Sequence, residues 1–152
     1  MTLSLGFLGL DVGGTGARWA VVDAQGAVQA EGQSPGWSAA AWGTPSQPAL
    51  EAAVRACAAA VRGPVAAALA GITGFDVDSP DAPALRRFVA DAFGVLEPTL
   101  RLMGDVALAC RAHFVPGQGI VLIAGTGSIA AHVDAQGQLH RAGGRGVLLD
   151  DA

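Results

Sequence analysis

Lysine is absent: all nine basic residues of this 152-residue chain are arginine. A P-loop needs a lysine on the nucleotide phosphates, and a Schiff-base enzyme needs a lysine amine, so neither chemistry is expected. Tyrosine is missing too, aromatic residues make up 5% and charged residues 14% of the chain. The net charge of −4 leaves no basic footprint for nucleic acid. The few phenylalanines and tryptophans do not alternate with arginines, as a base-stacking platform requires. Cys57 and Cys110 are far apart and form no Cys-x-x-Cys; they read as small buried apolar side chains of a reducing compartment. His113, His132 and His140 lack metal-ligand spacing. No apolar run is long enough to span a membrane. The apolar start, residues 1–10, is short, has no basic leader and runs straight into Asp11, so it reads as a first strand and not a signal peptide. A cytoplasmic protein without nucleic-acid or membrane partners is expected.

Small and apolar residues fill the space. The chain is 51% hydrophobic and holds 22 glycines, a composition suited to one globular domain or one domain plus part of another. Residues 5–10 predict a buried strand that ends in a glycine turn, residues 18–23 a second strand, and residues 27–31 a third, forming an antiparallel meander. Residues 34–48 are rich in glycine, proline and serine and read as a loop carrying Trp37 and Trp42. Alanine-rich helical spacing over 49–62 ends at Gly63-Pro64. A buried strand follows at 65–70, then a helix opened by Pro83 and closed by Gly94. Residues 99–103 predict another strand, and Gly104-Asp105 starts a helix running to about Phe114. Three more strands are expected at 119–124, 128–133 and 138–141.

The expected order is three strands, helix, strand, helix, strand, helix, then three strands again. The first eight elements match a ribonuclease-H-like α/β unit with a mixed sheet. The last three repeat its opening meander, with a glycine-rich turn at the same place. This divides the chain into residues 1–115, a first such domain, and 116–152, the start of a second whose remainder is absent. The chain is therefore expected to be one segment of a longer protein.

Three constellations carry chemistry. Asp11-Val-Gly-Gly-Thr15 places a carboxylate at a strand's end, where it can hold magnesium. The glycines that follow let backbone N–H groups approach phosphate oxygens, and Thr15 adds a hydroxyl. Without lysine, magnesium has to neutralise most of the phosphate charge. A plain hairpin turn accounts for the same residues equally well. Gly125-Thr126-Gly127-Ser128 offers the same donors between two further strands. A strand follows it where a dinucleotide site has a helix, and a bare hairpin is again the competing reading. Asp105, at a strand-to-helix junction, is either a helix N-cap or a base that orients an acceptor hydroxyl towards a γ-phosphate. The helix N-terminus favours its charged form, and the loose transition state of phosphoryl transfer asks for positioning more than for deprotonation.

Taken in order, Asp-x-Gly-Gly-Thr, Gly-Asp before a helix, Gly-Thr-Gly-Ser and Gly143-Gly-Arg-Gly-x-Leu-Leu-Asp-Asp resemble the N-acetylglucosamine kinases and the related BadF/BadG/BcrA/BcrD-type ATPases of the actin-like ATPase and sugar kinase superfamily. The resemblance implies ATP and Mg2+ as cofactors, with Asp11 near the metal. Gly13, Gly14 and Thr15 would form one phosphate motif, and Gly125, Thr126, Gly127 and Ser128 the second. Asp105 takes the place of the catalytic aspartate, and Thr73 lies in a loop that lines the sugar pocket. Gly143, Gly144 and Asp151 match a later sugar-side loop. A small-molecule amino sugar is the implied substrate, and a homodimer is left open. Two departures bear on the sugar: Arg145 stands where the family has tryptophan, and Leu149-Asp-Asp-Ala152 stands where it has Leu-Gly-Asp-Glu-Gly. The competing functions are an ATPase that energises a partner through an iron–sulfur cluster and a non-catalytic sugar- or nucleotide-sensing module.

Other features have plainer readings. The carboxylates at Asp76, Asp78 and Asp81 lack the glycine and final glutamate of a calcium loop and suggest a turn before a helix. Trp37 and Trp42 serve equally as sugar platforms or as loop anchors against the core. Arg18 is expected to pair with a surface carboxylate, and Arg86 and Arg87 to lie on a solvated helix face.

Overall fold

The computed structural model describes residues 5–124 and 128–144. Three strands open the chain: β1 (Gly6–Val12), β2 (Gly16–Val22) and β3 (Val28–Pro35). They are followed by α1 (Gln47–Ala60), β4 (Val65–Ile72), α2 (Ala82–Phe93), β5 (Leu100–Gly104) and α3 (Asp105–His113), and then by β6 (Val121–Ala124), β7 (Ser128–Val133) and β8 (Leu139–Gly143). The order of helices and strands is the one expected from the sequence. The chain divides into two compact units, Met1–Asp105 and Val106–Ala152.

In the first unit five strands lie in the order β3-β2-β1-β4-β5. β1 pairs antiparallel with β2 and β2 with β3, while β1, β4 and β5 run parallel. Parallel neighbours need a crossover, and α1 and α2 supply the two that this sheet requires. Strict alternation in β1 buries Gly6, Leu8, Leu10 and Val12 and exposes Phe7, Gly9 and Asp11. The buried set packs with Leu50, Val54 and Cys57 of α1 and with Leu85, Val89 and Ala90 of α2. Each such large aliphatic side chain contributes about 1.5–3 kcal/mol by leaving water. Both helices carry proline in their first turn, where its missing N–H costs nothing, and Gly94 ends α2 in the left-handed region.

The strands run further than the sequence suggests. β1 continues through Asp11 to Val12, and β3 extends to Pro35 because its ladder with β2 closes at Gly16↔Pro35. Proline is tolerated there on an edge strand, which has no outer neighbour to receive an N–H. Trp42 packs half-buried on Phe88 with ring centroids 5.5 Å apart, and Trp37 is 4% exposed. Both are loop anchors.

The second unit is an antiparallel sheet in the order β6-β7-β8. Its small core joins Cys110 and Val106 of α3 to Ala131, Val133, Val121 and Leu139. The meander β1-β2-β3 is thus echoed by β6-β7-β8. In each, the first two strands are separated by three residues, 13–15 and 125–127.

Candidate functional site at the carboxyl edge of the first sheet

Parallel pairing in register decides which residues meet. Val12 of β1 is paired with Ile72 of β4, and Ile72 with Gly104 of β5. The residues that follow these strand ends are Gly13, Thr73 and Asp105, so all three leave the sheet at the same edge. Neighbouring strands are about 4.8 Å apart, so the strand ends Val12 and Gly104 are separated by about 10 Å, with Ile72 between them. In α/β sheets this carboxyl edge is where ligands bind. Thr73 N–H donates to Val12 O at 2.9 Å, which fastens the loop after β4 to the end of β1.

The turn after β1 is closed by one bond, Gly13 N–H to Gly16 O at 2.9 Å. The N–H groups of Gly14 and Thr15 donate to no acceptor among the described residues, and both residues are exposed. Two adjacent free donors on a glycine turn are what an anionic oxygen requires. Asp11 lies on the exposed face of β1, opposite Arg18 on β2 and Gly71 on β4. Arg18 forms no ion pair among the described residues, contrary to expectation.

Among the described residues no cluster of three or more His, Cys, Asp or Glu is placed to hold a metal. A single exposed carboxylate, Asp11, two residues before a glycine turn is compatible with magnesium, which takes one or two carboxylates together with substrate phosphates and water.

Asp105 follows Gly104 without a connecting loop and is the first residue of α3, half-buried. The helix N-terminus there favours a negative group.

In the second unit, Ser128 opens β7 and pairs with Ala124, while Gly143 ends β8 opposite Ile129. A Cβ on Gly143 would lie 2.9 Å from Ser128 O, and one on Gly144 3.0 Å from Ile129 Cδ1. Ser128, Gly143 and Gly144 therefore form one neighbourhood. Gly125, Thr126, Gly127, Arg145 and Asp151 lie outside the described residues. On the same sheet His132 and His140 stack with ring centroids 4.9 Å apart, and His140 Nε2 lies 2.7 Å from Asp134 Oδ2. That hydrogen bond, seconded by the Gln138 amide, holds the Asp134 carboxyl below its ordinary range.

Two features escaped sequence reasoning. Residues 36–39 belong in sequence to an ordinary loop rich in glycine, proline and serine, yet they bond to both the turn after β1 and the loop after β4. Beside them a cavity of about 240 Å3 is lined by Trp42, Phe75, Asp76, Ser79 and Asp81, among others. Arg86 also departs from expectation, because its Nε is buried with no hydrogen-bond partner among the described residues, while Arg87 lies 3.9 Å from Glu97. Cys57 and Cys110 are buried as expected, and burial pushes the Cys57 thiol up.

The five-stranded mixed sheet with its helices, followed by a second meander, corresponds to about half of the fold of the actin-like ATPases and sugar kinases. Solved structures agree. A candidate N-acetylglucosamine kinase of Porphyromonas gingivalis superposes with a TM-score of 0.65 at 21% identity, over 95% of this chain and 50% of that one. A candidate N-acetylglucosamine kinase of Chromobacterium violaceum gives 0.55 at 25% identity, over 97% and 52%. The ethanolamine utilization protein EutJ of Carboxydothermus hydrogenoformans gives 0.54 at 18%, over 93% and 53%. The chain spans about half the length of each of these structures. No family model and no curated protein matches it. No helix among the described residues is long and apolar enough to cross a membrane.

Proposed function

We propose that this chain is the front portion of an ATP-dependent amino-sugar kinase acting on N-acetylglucosamine or glucosamine. The observation that carries the reading is the alignment of Gly13, Thr73 and Asp105 along one carboxyl edge of parallel strands. The turn after β1, the loop after β4 and a carboxylate follow one another there, and in this reading they serve phosphate, sugar and acceptor hydroxyl in that order. Asp11 would help hold a magnesium ion, which when bound offsets the phosphate charge that no lysine is present to offset.

In this reading the amides of Gly14 and Thr15 bind phosphate oxygens, with the Gly13 N–H holding the turn closed on Gly16 O, and the motif resemblance gives residues 125–128 a matching phosphate role. Thr73 lines the sugar side, and the motif resemblance gives Gly143, Gly144 and Asp151 a sugar-side role of their own. Asp105 accepts a hydrogen bond from the acceptor hydroxyl, the 6-hydroxyl in the simplest case, and aims its oxygen at the γ-phosphorus. As the new O–P bond forms, the bond from phosphorus to the ADP oxygen breaks and the hydroxyl proton passes to Asp105. Cys57 and Cys110 sit buried in two separate cores, which supports a kinase over a cluster-bearing ATPase.

The test is ADP release by the full-length protein against a panel of hexoses. Asp105→Asn is expected to lower turnover by about a hundredfold or more with nucleotide affinity retained. Normal turnover by the variant removes Asp105 from the mechanism. Tight sugar binding without ADP release for any hexose replaces the kinase with a sensor.

A further inference from the structure

We propose that residues 36–39 form a positioning strap that sets the direction of two backbone donors, the N–H groups of Gly14 and Gly74, with Ser38 as its positioning side chain. The inference rests on reading the turn after β1 and the loop after β4 as the phosphate and sugar elements, and it adds a device that holds them in mutual register.

The strap grips both elements by their carbonyls. Trp37 N–H donates to Gly13 O at 3.1 Å, and Ala39 N–H donates to Thr73 O at 2.9 Å. Ser38 Oγ–H donates to the same Thr73 oxygen at 3.2 Å, while Ser38 Oγ accepts from Ala40 N–H at 3.3 Å. Every described peptide bond is trans. In a planar trans peptide the C=O of one residue and the N–H of the next point in opposite directions. Holding Gly13 O on the strap therefore turns the Gly14 N–H away from it. Holding Thr73 O likewise turns the Gly74 N–H away. Neither N–H has a backbone acceptor among the described residues. The first suits a phosphate oxygen, and the second a hydroxyl or acyl oxygen of the sugar.

The strap is also seated tightly. A Cβ on Gly36 would collide with Gly13 O and Gly16 N and would lie 2.7 Å from the Thr15 carbonyl carbon. Only glycine lets the strap pass this close to the turn. Trp37, 4% exposed, roots the strap in the core. A two-point contact of this kind ties the two elements together, so loosening either end is felt at the other.

Residue-resolved amide exchange on this chain tests the idea without nucleotide or sugar. Ser38→Ala is expected to speed exchange about fivefold to tenfold at Ala39 and, at the far end, at Trp37 and Gly13. Core amides such as Leu10, Ala70 and Val89 should stay as they are. Ser38→Thr, which keeps the hydroxyl, should restore protection. Gly36→Ala, read at Ala39 and Thr73, probes the strap from the opposite end. Faster exchange confined to the mutated end, or an equal rise at every amide, overturns the proposal. In the full-length protein Ser38→Ala should raise KM for sugar and for nucleotide together, with a smaller change in kcat. Coupled exchange in a protein that transfers no phosphoryl group leaves the strap standing and removes the kinase reading.

Discussion

Replacing Gly74 with alanine attacks the strap's contact from the loop side, and the structure gives the size of the effect. Gly74 has a φ of 72°, in the left-handed region, which costs an L-residue about 1–2 kcal/mol. The added Cβ would sit 2.7 Å from Ser38 Oγ, 3.1 Å from Ala40 N and 3.2 Å from Ala40 Cβ. Relieving that squeeze in a packed loop costs about 1–3 kcal/mol more. The total is about 2–5 kcal/mol. With a urea slope of about 2 kcal/mol/M, the midpoint falls by about 1–2.5 M. Tryptophan fluorescence is the assay, because Trp19, Trp37 and Trp42 all lie in the first compact unit and report on it alone. The contact itself is isolated by a double-mutant cycle. Ser38→Ala alone forfeits hydrogen bonding worth about 1 kcal/mol, but it also removes the oxygen that the Gly74→Ala methyl strikes. The double variant should therefore be more stable than the sum of the single effects, by about 1 kcal/mol. A Gly74→Ala midpoint within error of the parent, or strict additivity, would refute the reasoning.

Leu8 is 1% exposed in the first core, and Leu8→Ala should cost about 2–5 kcal/mol by the same fluorescence assay. Leu96→Ala, at a residue 75% exposed, should change stability by less than about 0.5 kcal/mol. Asp134 should titrate below 3.8, the ordinary carboxyl value, in a carboxyl NMR titration, and His140→Gln should move its midpoint back up. Because its folded-state value is lowered, the stability Asp134 contributes is present above the unfolded value and is lost as pH falls through the folded one. An unshifted midpoint would remove the His140 contact as its cause.

Much of the fold was legible because glycine turns, proline stops and apolar alternation all mark local boundaries. Strand ends were less so. β1 and β3 run on through Asp11 and Pro35 because cross-strand pairing holds them, and a partner strand cannot be seen in a local window. α3 follows the first sheet in sequence, yet its Val106 and Cys110 belong to the second core. The turn at 13–15, Thr73 and Asp105 stood out by motif, and the parallel register brings them to a common edge. The strap did not stand out, since Ser38 and Thr73 are 35 residues apart and nothing in a Gly-Trp-Ser loop signals two carbonyl grips. Arg86 was misread because helical periodicity alone does not tell which arginine stem is folded back over the surface.

The sheet order also sets an expectation for assembly. The β1-β2-β3 meander closes through near neighbours, whereas Val12 meets Ile72 only after about 60 intervening residues have been gathered in. Until β4 docks, the glycine turn exists as a bare hairpin with no Thr73 beside it and half of the strap's anchorage missing. Competence to hold a ligand is thus expected to arrive last in the folding of the first unit, well after its secondary structure.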